Sequence, residues 1–185
     1  MIPSQCRFRS KNHPFPVLPR HVKTNLYSNS KVTYICVTHK LPIMPHDINL
    51  SWQFSQPVEE VWAYLTKPEL MELWLMKSDF QPIEGHKFQF TFTPKTDSQY
   101  EGIVDGEVLL VKPYTKLSYS WNGHTKANGR AFQSIVIWTL YSISNGTQLQ
   151  LQHNGFSLLE DMLNHTRGWN SCVSKFDQSI NTVLP

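Results

Sequence analysis

Carboxylates are missing from the first quarter of this 185-residue chain: Asp47 is the first acid, whereas residues 1–46 carry seven Lys or Arg. The formal charge of +3 is therefore a property of one end. The remainder holds ten basic residues against all fourteen acids, a balance of −4. Its bases stand singly (Lys67, Lys77, Lys87, Lys95), with no run that would track phosphates, which excludes nucleic acid as an expected partner. Cysteine is scarce. Cys6, Cys36 and Cys172 are an odd, scattered set without a C-x-x-C pair, so neither a disulfide framework nor a zinc site is expected, and a reducing compartment suits them. No apolar run reaches the roughly 18 to 20 residues that span a bilayer. Pro3, Pro14, Pro16 and Pro19 stand where a signal peptide needs an apolar block. A cytoplasmic protein without membrane contact is the expectation.

What is present is one core's worth of apolar residues, 40% of the chain, with 12% aromatic. They are unevenly placed. Residues 1–43 contain basic, Pro, Ser and Asn residues and one short apolar stretch, Val32 to Val37, without sustained periodicity. They are read as an unstructured basic extension. Three accounts of it compete: a disordered arm, an organelle transit peptide, and upstream sequence from a start placed too early. The last is favoured, because organised patterning begins right after Met44 and the prolines oppose an amphipathic transit helix.

From residue 44 to 185 a single domain is expected. Ile48, Leu50, Trp52 and Phe54 alternate with polar residues, a half-buried strand. Gln56-Pro57-Val58-Glu59 and Lys67-Pro68-Glu69 each place Pro and an acid where a helix begins, predicting two short helices, to about Tyr64 and to before Gln81-Pro82. Period two returns at Phe88, Phe90 and Phe92, followed by a polar turn from Thr93-Pro94 through Ser98. Further strands are predicted near Tyr100 to Val111, Thr115 to Trp121, Ala131 to Tyr141 and Gly146 to His153. Lys112-Pro113, Asn122-Gly123 and Asn145-Gly146 are read as the turns between them. Leu159 to Val183 then carries Met162, Thr166, Trp169, Val173, Phe176 and Ile180 at steps of three and four, a long amphipathic helix. This order predicts an α+β architecture, an antiparallel sheet gripping one helix.

Several ordered details resemble the activator of heat shock protein 90 ATPase homologue family, within the START-like superfamily. They are Phe54-Ser55-Gln56-Pro57-Val58-Glu59-Glu60-Val61-Trp62, then Pro68-Glu69-Leu70 and Trp74; Gly106-Glu107-Val108 through Lys112-Pro113 to Leu117-Ser118-Tyr119-Ser120-Trp121; Trp138-Thr139-Leu140; Gly146-Thr147; His153-Asn154-Gly155-Phe156; and Gly168-Trp169. The resemblance covers about residues 46–182. It implies a helix-grip fold: a curved antiparallel sheet around the C-terminal helix, with an internal cavity between them. It also implies two further activities, the cyclase or hydrolase chemistry of superfamily enzymes and co-regulation of a chaperone ATPase. In the eukaryotic activator a larger domain precedes this one, and 43 unpatterned residues cannot supply it.

A cavity of that kind would be apolar with a few orienting polar groups. The candidate ligand-binding residues are Phe88, Phe90, Phe92, Tyr119, Trp121, Trp138, His153, Phe156, Trp169 and Phe176, chosen because they alternate on strands or lie on or beside the helix stripe. Tyr119 and His153 are the candidate orienting groups. Each aromatic also has a plainer use as core filling. His153 and His165 titrate in the range useful for acid–base work, but without a nucleophile or carboxylate partner they read as structural. Gly168 reads as the small residue that lets the helix pack closely. Glu101, Asp105 and Glu107 share one strand face, read as the solvated one because converging carboxylates need a cation. No catalytic, metal or cofactor motif occurs, and nothing obliges an enzyme. The expected partner is a hydrophobic or aromatic small molecule.

Overall fold

The computed structural model describes residues 23–29, 32–38, 46–94, 96, 100–126 and 129–182, the first two segments by their backbone. The chain divides into two compact units, Met1–Met44 and Pro45–Pro185. In the first, β1 (Lys23–Asn29) pairs antiparallel with β2 (Val32–Thr38), in register from Lys23↔Thr38 to Asn29↔Val32. These fourteen residues correct the expectation of no regular structure before Met44. The run from Val32 to Val37 is β-branched and aromatic, the composition strands favour, but it does not alternate, so periodicity misses it. The rest of the predicted extension lies outside the described residues.

In the second unit, β3 (His46–Phe54) is followed by α1 (Val58–Thr66), α2 (Pro68–Trp74) and a two-residue β4 (Lys77–Ser78). Strands β5 (Lys87–Thr91), β6 (Tyr100–Lys112), β7 (Lys116–Thr125), β8 (Ala131–Ile143) and β9 (Gly146–Phe156) lead to α3 (Leu159–Thr182). The seven strands form one antiparallel sheet, ordered β3-β9-β8-β7-β6-β5-β4. Consecutive hairpins account for β4 to β9, and β3 closes the order at the β9 edge. This curved sheet with its long C-terminal helix is the helix-grip architecture.

Local chemistry explains the corners. Pro68 opens α2 at the position where a missing N–H costs nothing, and Lys67 both ends α1 and precedes α2. Gly146 turns β8 into β9 at φ +127°, where a Cβ would overlap the Phe54 carbonyl oxygen, so the hairpin and the neighbouring strand β3 both require glycine there. Asn122-Gly123, by contrast, is not a turn. The pair lies within β7, opposite Gln133 and Phe132, and a Cβ on Gly123 would meet the Phe132 ring at 2.6 Å. Here the missing side chain makes room for a ring rather than bending the chain.

The core lies between the sheet's inner face and the helices. Phe176 on α3 is fully buried, with its ring centroid 4.7 Å from Phe54, 4.8 Å from Trp74 and 5.2 Å from Tyr64. Trp138 on β8 meets Trp74 and Trp169, locking α2 and α3 to the centre of the sheet. Polar atoms in this region are paired: Trp74 Nε1 donates to the Tyr64 carbonyl (3.0 Å) and Trp138 Nε1 to the Tyr119 hydroxyl (2.9 Å).

Candidate functional site

Beside that packed core, α3 and the sheet stand apart and leave a cleft of about 370 Å³. Its sheet wall is built from Phe92 and Thr93 after β5, Tyr100, Ile103 and Val104 on β6, Trp121 on β7 and Phe132 on β8. Leu75 and Met76, just after α2, close one side. The helix contributes Asn164, His165, Gly168, Trp169, Cys172 and Lys175. Two features shape the wall. Gly102, at φ +92°, lies where the β6–β7 register shifts, and its Cβ would stand 2.5 Å from the Phe92 carbonyl oxygen, so β6 can hug the segment carrying Phe92 only without a side chain there. Gly123 seats the Phe132 ring, as described above.

A buried hydrogen-bond chain backs the cleft. Trp169 Nε1 donates to His153 Nδ1 (3.0 Å), His153 Nε2 lies 2.8 Å from Ser134 Oγ, and the Ser134 hydroxyl donates to the Trp121 carbonyl (2.9 Å). One arrangement satisfies every group: a neutral His153 protonated on Nε2, donating to Ser134. Burial, then the neighbouring His165, pushes His153 well below the usual histidine range, in keeping with that neutral form. Both nitrogens are engaged, so His153 has none left to act as a base or to hold a ligand.

His165 is different. Its Nδ1 donates to the Asp161 carbonyl one turn earlier (2.8 Å), which puts the proton on Nδ1 and leaves Nε2 as a bare acceptor. The Tyr100 hydroxyl lies 3.4 Å from the same Nδ1. Burial lowers the His165 pKa despite the opposing influence of Asp161. Asp161 itself is buried and receives both terminal nitrogens of Arg130, at 2.8 and 2.9 Å, tying the segment before β8 to the first turn of α3. Burial also pushes the Cys172 thiol up, against the influence of Lys175, so it is no ready thiolate. Trp121 Nε1 is buried and has no hydrogen-bond partner among the described residues.

Of the ten residues proposed from the sequence, Phe92, Trp121 and Trp169 line this cleft. Phe90, Tyr119, Trp138 and Phe176 are buried in the core. Tyr119 is buried with its hydroxyl accepting from Trp138, and burial pushes its pKa up. Phe156 lies under His165 and Phe88 packs against Phe80, neither on the cleft. Gly168 is not a close-packing residue: a Cβ there would meet nothing within 4 Å, because it faces open space. The sequence reading missed Tyr100, Ile103 and Phe132 as wall residues. Phe132 alternates in phase with Trp138 on β8, which could have marked it.

Asp105 and Glu107 lie on the other face of the sheet, beside Asp79 and Lys87 in a polar depression of about 450 Å³. Two of its carboxylates are already in use. Asp79 accepts from the Gln89 backbone and Asp105 from the Gln89 side chain. Among the described residues no three metal-ligating side chains converge, and no helix is long and apolar enough to cross a membrane.

This geometry defines a START-like helix-grip domain with a cleft between its sheet and its long helix. The model of the Activator of Hsp90 ATPase homolog 1-like proteins matches residues 55–181, and the chain belongs to that family. Among solved structures it is similar to protein MLL2253 from Mesorhizobium loti, at 32% identity, covering 75% of this chain and 99% of that one with a TM-score of 0.66. The AHSA1 protein of Silicibacter pomeroyi (20% identity, 74% and 98% coverage, TM-score 0.63) shares the fold. So does CalU16 of Micromonospora echinospora (19% identity, 86% and 84% coverage, TM-score 0.60). No curated protein matches the chain.

Proposed function

We propose that the helix-grip unit binds an apolar, aromatic small molecule in the cleft between α3 and the sheet. The observation that carries this reading is the open space over Gly168, facing an aromatic wall. A helix laid on a sheet gains about 25 cal/mol for each Å² of apolar surface it removes from water, so the default is closure. Here Phe92, Tyr100, Trp121 and Phe132 line the sheet side of a gap toward which α3 presents a glycine. The volume, about 370 Å³, lies in the range of small-molecule sites. Contact with the aromatic wall would supply affinity.

The test is to fill the space. Gly168→Leu puts a side chain into the cleft from a helix position where it meets no neighbour, so the fold should survive with its melting temperature little changed. The neutral fluorescent probe N-phenyl-1-naphthylamine should bind the wild-type chain and lose about tenfold or more in affinity on the variant, since a blocked pocket forfeits most of its contact area. Equal binding by both proteins would place the probe elsewhere and remove the cleft as the site.

A further inference from the structure

We infer that the cleft selects a neutral aromatic molecule carrying a hydroxyl group, whose oxygen accepts from Trp121 Nε1–H and whose own O–H donates to His165 Nε2. The inference rests on the binding reading above and adds the chemistry of the ligand. Its ground is two complementary groups on residues of one lining, a buried donor without a partner and an acceptor left open. Trp121 is 5% exposed, and its indole N–H, a donor only, lacks an acceptor among the described residues, while Trp74, Trp138 and Trp169 all have one. A buried donor without a partner forfeits the water it gave up, so an acceptor arriving there gains more than at a satisfied site.

His165 offers the opposite valence. Its Nδ1 proton is committed to the Asp161 carbonyl, so Nε2 can only accept while the ring is neutral. Burial favours that neutral ring. The two rings stand 6.4 Å apart between centroids, edge to face, and both line the cleft. A hydroxyl is the smallest group that accepts from one and donates to the other. A carbonyl or an ether serves only Trp121. A carboxylate would set its charge against the His165 lone pair, and the cation available to it in the lining, Lys175, is exposed to solvent.

Four ligands on one scaffold separate these possibilities: naphthalene, 2-naphthol, 2-methoxynaphthalene and 2-naphthoate, titrated into the full chain at neutral pH. 2-Naphthol should bind about tenfold or more tightly than naphthalene, with 2-methoxynaphthalene between them and 2-naphthoate weakest. Trp121→Phe, which keeps a ring and removes the N–H, should abolish the preference for 2-naphthol over naphthalene, the ratio of the two affinities falling to about one whatever the smaller ring costs both ligands alike. His165→Asn, which keeps a donor for the Asp161 carbonyl and removes Nε2, should do the same and serves if the first variant does not fold. Equal affinity for naphthalene and 2-naphthol would overturn the inference while leaving the cleft as a binding site. Preference for 2-naphthoate would overturn it in favour of Lys175. Failure of all four to bind would overturn both this inference and the binding reading beneath it.

Discussion

Two neighbouring stripes of α3 meet the same sheet in opposite ways. Trp169, Val173, Phe176 and Ile180 are buried and interlock with rings from β3, α1, α2 and β8. His165, Gly168, Cys172 and Lys175, turned part of a revolution away at 100° per residue, line open space. The first stripe is spaced and shaped for packing. In the second, large side chains give way to a glycine, a neutral imidazole and a small thiol. The difference teaches that one helix can hold a fold together along one line and keep a cavity open along the next. The aromatic wall opposite the second stripe meets the His165 ring at one end and the gap over Gly168 beyond it.

The largest test of that division is truncation. Phe176→Ala removes a fully buried ring in contact with three others, and the cost should be about 3–5 kcal/mol in urea unfolding, enough to endanger folding. Lys175→Ala, one position away on the other stripe and exposed, should shift stability by no more than about 0.5 kcal/mol. Comparable losses from the two would mean that the stripes are not functionally distinct.

A smaller effect should come from pH, because buried His153 on β9 bonds to Trp169 of the first stripe and half-buried His165 stands on the second. Burial lowers the pKa of both His153 and His165 from 6.5. Below that value the unfolded chain takes up protons that the folded one refuses, so stability is complete above about pH 6.5 and falls as the pH drops. The slope should approach about 1.4 kcal/mol per pH unit for each histidine, until the folded protein itself becomes protonated. His153, lowered further and locked between Trp169 and Ser134, should carry the fall to lower pH than His165. Urea midpoints at pH 7.5, 6.0 and 5.0 measure this, and His165→Asn should flatten only the upper part of the fall. A flat profile would show that neither ring is held neutral by the fold.

The two stripes also differ in how far the sequence announces them. Steps of three and four pick out Trp169, Val173, Phe176 and Ile180, and alternation marks Phe88, Phe90 and the outward acids of β6, because burial repeats with the backbone's own period. Such periods suffice for the order of elements from β3 to α3 apart from the two-residue β4, for the antiparallel sheet and for the identity of the gripping helix. Periodicity cannot tell a buried side chain that touches another from one that faces a gap, and so Tyr119, Trp138 and Phe176 looked as much like cavity residues as Trp121 did. Asn122-Gly123 misled for a related reason. A glycine makes the same mark in a sequence whether it bends the chain or makes room for Phe132, and only the partner strand distinguishes the two. Orphaned and satisfied indoles are likewise identical in one dimension: the Trp121 and Trp169 rings both stand 5.8 Å from the His153 ring, and only the Trp169 N–H meets one of its nitrogens.

Gly168 gives the finest division between the stripes, because packing predicts one sign and open space the other. If glycine were needed for close approach, alanine would clash and destabilise. The Cβ of an alanine here meets nothing within 4 Å, and Gly168 is not among the glycines with positive φ. What remains is the backbone entropy glycine loses on entering a helix, and Gly168→Ala should therefore stabilise the chain by about 0.5–1 kcal/mol. The measurement is a urea midpoint raised at an unchanged slope, with N-phenyl-1-naphthylamine still bound, since one methyl takes little of a cleft of about 370 Å³. Destabilisation by alanine would mean that the helix closes onto the sheet at this turn, and the second stripe would become packing like the first.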